Sequence, residues 1–216
     1  SADGKIIALG FYSSGGYGTV EVYEYSDTQW VQKGTTIESV EEGDQIGWDV
    51  SLSKDGTTLA IGSPAYGNLK QGRVGIYRYV DNAWVQLGND IVGELGGDAF
   101  GAGVTLNEDG SRVAIGATFA PGSADLGVTK AYEYNVSQQI WEQLGQDIEG
   151  SSYRSISGLS PRLNSVGNVL AVGAPGHDTG RGVTRIYQLS GSNWNLLGQE
   201  IVGGDSLSLS GYSVSL

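Results

Sequence analysis

One histidine, twenty-four carboxylates and no cysteine bound the chemistry open to this 216-residue chain. A nucleophilic triad needs a base of the histidine kind within reach of a nucleophile. His177 lies alone among glycines and small polar residues, which suits a surface residue or a ligand contact better. The absence of cysteine excludes disulfides and thiolate metal sites. Carboxylates gather at Glu38, Glu41, Glu42 and Asp44, with Glu94, Asp98 and Asp205 at equivalent places further on. Such a cluster could hold a divalent cation, and Glu41, Glu42, Asp44 and Asp98 are its weak candidates. A run of acidic residues is more often a solvated face, and no metal is expected. Glycoside chemistry by paired carboxylates is open in principle, yet no acidic residue recurs on the innermost strand identified below. No glycine-rich phosphate loop precedes a helix. The chain is therefore expected not to be an enzyme.

The elements that must position these groups are set by a repeat. Trp30, Trp84, Trp141 and Trp194 are 54, 57 and 53 residues apart, in "WVQKG", "WVQLG", "WEQLG" and "WNLLG". Residues 1–52, 53–106, 107–163 and 164–216 align with one another and account for the whole chain. Each repeat opens on a turn such as "SKDG", followed by an apolar run: "IIALG", "TLAIG", "RVAIG" or "VLAVG". A loop leads to "GTVEVYEY", "GRVGIYRY", "GVTKAYEY" or "GVTRIYQL", and a short turn to the tryptophan segment. A second loop ends in "GWDVSL", "GAGVTL", "GLSPRL" or "GYSVSL". Leu59 and Ile61 alternate with Ala60 and Gly62, the period-two pattern of a strand with unlike faces. No apolar period of about 3.6 residues persists long enough for a helix. The chain is all-β.

Four short antiparallel strands per unit of this length are the signature of a β-propeller blade. The strands are termed a to d outward from the axis, with the "GYSVSL"-type segment as a. The chain then begins at strand b and ends on strand a. One propeller domain over 1–216 is expected, with four blades of four strands. The ring is expected to be closed by residues 211–216 pairing into the N-terminal blade. A larger ring completed by another chain, or an excised segment, is the other possibility. Methionine is absent even at position 1, so a mature form or a piece of something longer is expected.

These residues resemble the FG-GAP repeats of integrin α-subunit propellers and of their relatives in bacterial and microalgal surface proteins. Phe100-Gly101 supplies "FG", Gly173-Ala174-Pro175 supplies "GAP", and "GSP" at 62–64 and "GAT" at 116–118 are near matches. The resemblance implies a propeller scaffold and, in integrin-type blades, a calcium loop of the form D-x-D-x-D-G. That loop is missing here. The a–b turns offer only Asp3, Asp55, and Glu108 with Asp109, too few for the six to eight oxygens Ca²⁺ takes. No cofactor is expected, with Ca²⁺ only as a family possibility.

Antiparallel strands put the a–b and c–d turns on one face and the long b–c and d–a loops on the other. Loops that differ between similar repeats are where binding is usually found. The candidate site is therefore the loop face: Tyr12, Tyr17, Tyr66, Lys70, Phe119, Tyr153, Arg154, His177, Asp178 and Arg181. A net charge of −12 with no basic stripe argues against nucleic acid and anionic membranes, and no apolar run is long enough for membrane insertion. The expected function is non-catalytic recognition or adhesion at an extracellular or cell-surface location, with a protein partner or larger assembly on the loop face. A carbohydrate-binding lectin is the alternative, a glycan then being the ligand, and a hydrolase comes third. The tryptophans are expected to cover the outer edge of each blade.

Overall fold

The computed structural model describes residues 1–13, 16–118 and 126–216. These form four antiparallel sheets of four or five strands, one per repeat, with almost no helix. The first holds β1 (Ile6–Phe11), β2 (Thr19–Ser26), β3 (Gln29–Gln32) and β4 (Ile37–Glu38). The second holds β5 (Val50–Leu52), β6 (Thr58–Ser63), β7 (Arg73–Val80), β8 (Ala83–Gln86) and β9 (Ile91–Val92). The third runs β10 (Phe100–Leu106), β11 (Arg112–Ala117), β12 (Val128–Asn135), β13 (Ile140–Gln143) and β14 (Ile148–Glu149). The fourth runs β15 (Arg162–Leu163), β16 (Val169–Ala174), β17 (Val183–Ser190), β18 (Asn193–Leu196) and β19 (Ile201–Val202).

The outermost strand is in two pieces. In each sheet one long strand, β2, β7, β12 or β17, pairs at one end with the tryptophan segment and at the other with a two-residue strand. Between the pieces stands the glycine of "WVQLG", left-handed at Gly34, Gly88, Gly145 and Gly198. A residue with a Cβ resists that conformation, which is why the motif ends in glycine.

Neighbouring sheets stack through unlike faces. Leu59 and Ile61 of β6 pack with Ile6, Val20 and Val22 of the first sheet, whereas Ala60 packs toward Phe100, Val113 and Ile115 of the third. Ala114 joins Leu170 and Val172 in the same way between the third and fourth sheets. The large-face, small-face alternation read from the sequence is thus realised at three interfaces. Backbones touch where the inner strand of one sheet begins: an added Cβ at Gly10, Gly62, Gly116 or Gly173 would collide with the carbonyl of Gly47, Gly101, Gly158 or Gly211. The glycines of the "FG" and "GAP" pieces are among these contact points.

The tryptophans do more than cover an edge. Trp84, Trp141 and Trp194 each donate Nε1–H across to the preceding sheet, at the carbonyls of Lys33, Leu87 and Leu144, each at 2.8 Å. Each indole also lies against the motif glycine of that sheet, Gly34, Gly88 or Gly145. Trp30, with no preceding sheet, is 44% exposed against 3% for Trp194.

The expected pairing of 211–216 into the N-terminal blade is not seen: among the described residues the first sheet has no fifth strand, and β1 is its inner edge. Residues 211–216 make the contacts that each inner strand makes with the sheet before it, Gly211 on Gly173 and the Val214 amide toward Ser160 Oγ at 3.5 Å, without forming a strand on β1. Leu9 is 40% exposed, although its equivalent Ile61 is 1% exposed. The repeat specifies which sheet each strand leans on, but strand pairing between the two ends of the chain is not a property of any one repeat.

Candidate functional site

The described members of the expected loop-face site fall into separate groups. Tyr12 is exposed and packs on Trp48 at 4.8 Å between ring centroids, and Tyr17 stands free in solvent. Tyr66 lies under the Arg73 guanidinium at 4.2 Å, with Lys70 exposed nearby in the same loop. Tyr153 carries Arg154 over its ring, and His177 Nδ1 is 2.9 Å from Ser152 Oγ. Asp178 pairs with Arg181 at 3.2 Å. Phe119 lies outside the described residues. None of the other nine lines either of the two larger cavities.

The weak metal candidates separate as well. Asp44 is buried, accepts from the Ile46 amide and pairs with Arg73 at 3.3 Å. Asp98 occupies the equivalent place one sheet on, and Glu41 and Glu42 face solvent. Among the described residues no three acidic or histidine groups converge on one point. The a–b turn carboxylates have internal work: Asp3, Asp55 and Asp109 accept from the amides two residues on, at Lys5, Thr57 and Ser111. The Ser111 hydroxyl and amide hold the Asp109 carboxyl below its usual range.

A cavity of about 680 Å³ lies at the opposite mouth, among the inner strands and the a–b turns. Its walls are Val50–Leu52, Val104–Leu106 and Arg162–Leu163, and its rim carries Lys54, Asn107, Glu108 and Asn164. Inner strands have one edge with no sheet partner, so their amides need other acceptors. The second sheet supplies them. Asp49 Oδ2 accepts from the Val104 amide at 2.8 Å and Ser51 Oγ from the Leu106 amide at 3.0 Å. Asp49 Oδ1 also accepts from the Val50 amide at 3.0 Å.

Burial raises the Asp49 carboxyl above its ordinary value, against the pull of the Val104 amide, Arg162 and the Val50 amide. Arg162 stands where the other inner strands carry Ser51, Thr105 and Ser215. Among the described residues it makes one hydrogen bond, from Nη1 to the Pro161 carbonyl at 2.7 Å, and no ion pair. Lys54, by contrast, is engaged by Glu108 at 3.0 Å on the rim. The cavity wall thus carries a guanidinium with donors to spare among the described residues, with the raised Asp49 carboxyl within its electrostatic reach. The signal for this site was in the sequence. Asp49 and Arg162 are the charged departures in otherwise Ser-, Thr- and Gly-bearing inner segments.

No family model matches the sequence, and no curated protein does either. Solved structures resemble it in fold. One, from Bacteroides uniformis and provisionally named a 6-phosphogluconolactonase, aligns with TM-score 0.66 and 14% identity, over 96% of this chain and 54% of that one. Another so named, from Bacteroides fragilis, aligns with TM-score 0.60 and 12% identity, over 91% and 55%. TolB from Acinetobacter baumannii aligns with TM-score 0.52 and 17% identity, over 94% and 43%. The chain spans about half the length of these proteins. The fold is thus an all-β, propeller-type stack of sheets.

Two expectations are corrected here. The non-catalytic adhesion module is overturned, because structures that share the fold carry lactonase names and nothing among those named points to adhesion. With it goes the expectation that the chain is not an enzyme. From the sequence, catalysis is expected only at recurring or histidine-bearing positions, whereas the charged groups at the inner strands, Asp49 and Arg162, each occur once.

Proposed function

We propose that the axial cavity is a hydrolase site acting on a compact sugar-derived ester of the lactone type. The observation that carries this is the unpaired Arg162 guanidinium on the wall of a 680 Å³ cavity, within electrostatic reach of the Asp49 carboxyl. The names of the similar folds favour the same substrate class. Asp49 takes a proton from water as the water oxygen bonds to the ester carbonyl carbon. Arg162 faces the negative charge that builds on the carbonyl oxygen. The ring C–O bond then breaks, and the proton held by Asp49 passes to the departing alkoxide. The product is a free hydroxy acid.

The test is a hydrolysis assay over a panel of aldonolactones, beginning with 6-phosphogluconolactone. Asp49→Asn is expected to lower kcat/KM by about 10²–10⁴-fold, and Arg162→Met by about 10²–10³-fold. Wild-type turnover should rise with pH through the carboxyl's raised range and then level off. No turnover of any lactone, or turnover indifferent to both substitutions, would refute the proposal.

A further inference from the structure

A second cavity, of about 260 Å³, lies at the edge of the third sheet, against the loop that enters from the second. Its equivalent in the second sheet shows what it lacks. There Arg73 fills the crevice, donating to Asp90 at 2.8 Å and to Asp44 at 3.3 Å, and no space for a water molecule remains. In the third sheet the two carboxylates recur as Asp147 and Asp98, but Val128 stands where Arg73 would be. The cation has moved two residues along, to Lys130 in place of Gly75. From there it reaches Glu94 at 2.7 Å and Asp147 at 3.3 Å, and not Asp98.

Asp98 is consequently left over. It is 7% exposed, and its Oδ2 accepts from the Leu95 amide at 2.9 Å. Its Oδ1 is buried without a partner among the described residues, and the residue lines the cavity. A buried polar atom without a partner is costly, more so when charged, so its retention calls for an explanation. The crevice in the fourth sheet does not share the problem, since Ser155 replaces the aspartate and Arg185 reaches Glu200 at 2.6 Å. The walls of the empty crevice are apolar at Phe100, Ala117 and Val128, and its rim is acidic at Glu94 and Glu149.

We propose that this crevice binds an alkylguanidinium group, which enters where Arg73 lies in the neighbouring sheet and donates to the Asp98 carboxyl. A planar fork of N–H donors suits a buried carboxylate better than a compact ammonium does. The methylenes of the ligand would lie on Phe100 and Val128. The group could belong to a free alkylguanidine or to an arginine side chain of a peptide, and the site chemistry is shared.

The experiment is an amide-resolved NMR titration of the whole chain with agmatine, acetyl-Gly-Arg-Gly-amide, butylamine and an uncharged alkylurea. Agmatine should perturb the amides of Leu95, Asp98 and Val128, with butylamine and the urea at least about tenfold weaker. If the peptide binds as well as agmatine, arginine side chains are the source; if only agmatine does, the ligand is a small molecule. Val128→Arg should refill the crevice from within and abolish binding. Asp98→Asn, which keeps side-chain size, should weaken binding at least about tenfold and serves if the arginine variant does not fold. No perturbation by either guanidinium probe would overturn the proposal. So would butylamine binding as tightly as agmatine, or binding unchanged in Asp98→Asn.

Discussion

Truncating Trp194 and Trp30 separately should produce unequal losses, because the same motif residue does unequal work in the two sheets. Trp194 is buried at 3% exposure and donates Nε1–H to Leu144 across the interface. Its own backbone is clamped by Gln146, whose Oε1 accepts from the Trp194 amide at 2.9 Å while its Nε2 donates to the Trp194 carbonyl at 2.7 Å. Replacing a buried tryptophan by alanine costs about 3–5 kcal/mol. Trp30 is 44% exposed and packs chiefly on Tyr25 at 5.3 Å between centroids. Its removal should cost about 1–2 kcal/mol from the area it covers. The gap of about 2–3 kcal/mol corresponds to about 5–10 °C in Tm for a chain of this size. Urea titrations followed by far-UV circular dichroism would measure it. Trp194→Phe separates the terms, since it keeps most of the apolar area and leaves the Leu144 carbonyl without its donor, a loss of about 1–2 kcal/mol. Equal losses at positions 30 and 194 would refute the view that these residues join sheets, and would return them to edge covering.

Two further outcomes follow from the same packing. Burial pushes the Tyr132 hydroxyl up to about 12 from 10.0, so the folded protein resists an ionisation that the unfolded chain undergoes. Its contribution is whole below pH 10 and is lost as pH rises toward 12. Tyr132→Phe should flatten the alkaline fall in stability by about 2 kcal/mol across that window, read from urea midpoints at stepped pH; an unchanged slope would show the hydroxyl to be solvated. Gly173→Ala would drive a Cβ into the Gly211 carbonyl at a position whose backbone is ordinary strand. The expected loss is about 1–3 kcal/mol, with faster hydrogen exchange at Val214; protected exchange would mean that 211–216 is held elsewhere.

The sequence by itself determined the local and periodic features. The four repeats, the order of strands within each sheet and the large and small faces of β6, β11 and β16 all follow from residue type and spacing. Each is a property of a segment and its immediate neighbours. The motif glycines were legible as markers, but their reasons were not. Gly34 is needed for a backbone turn and for the face of Trp84, which is fifty residues away in sequence. Tertiary structure alone decided three things. It left 211–216 unpaired with β1, because pairing between the two ends of the chain is set by the whole stack of sheets and not by any one segment. The convergence of inner strands placed Asp49 near Arg162, although the segments that carry them differ in sequence and lie more than one hundred residues apart. The exchange of Arg73 for Val128 became meaningful only when the two crevices were seen to be equivalent, one filled by a guanidinium and the other left open with an unpartnered carboxylate oxygen.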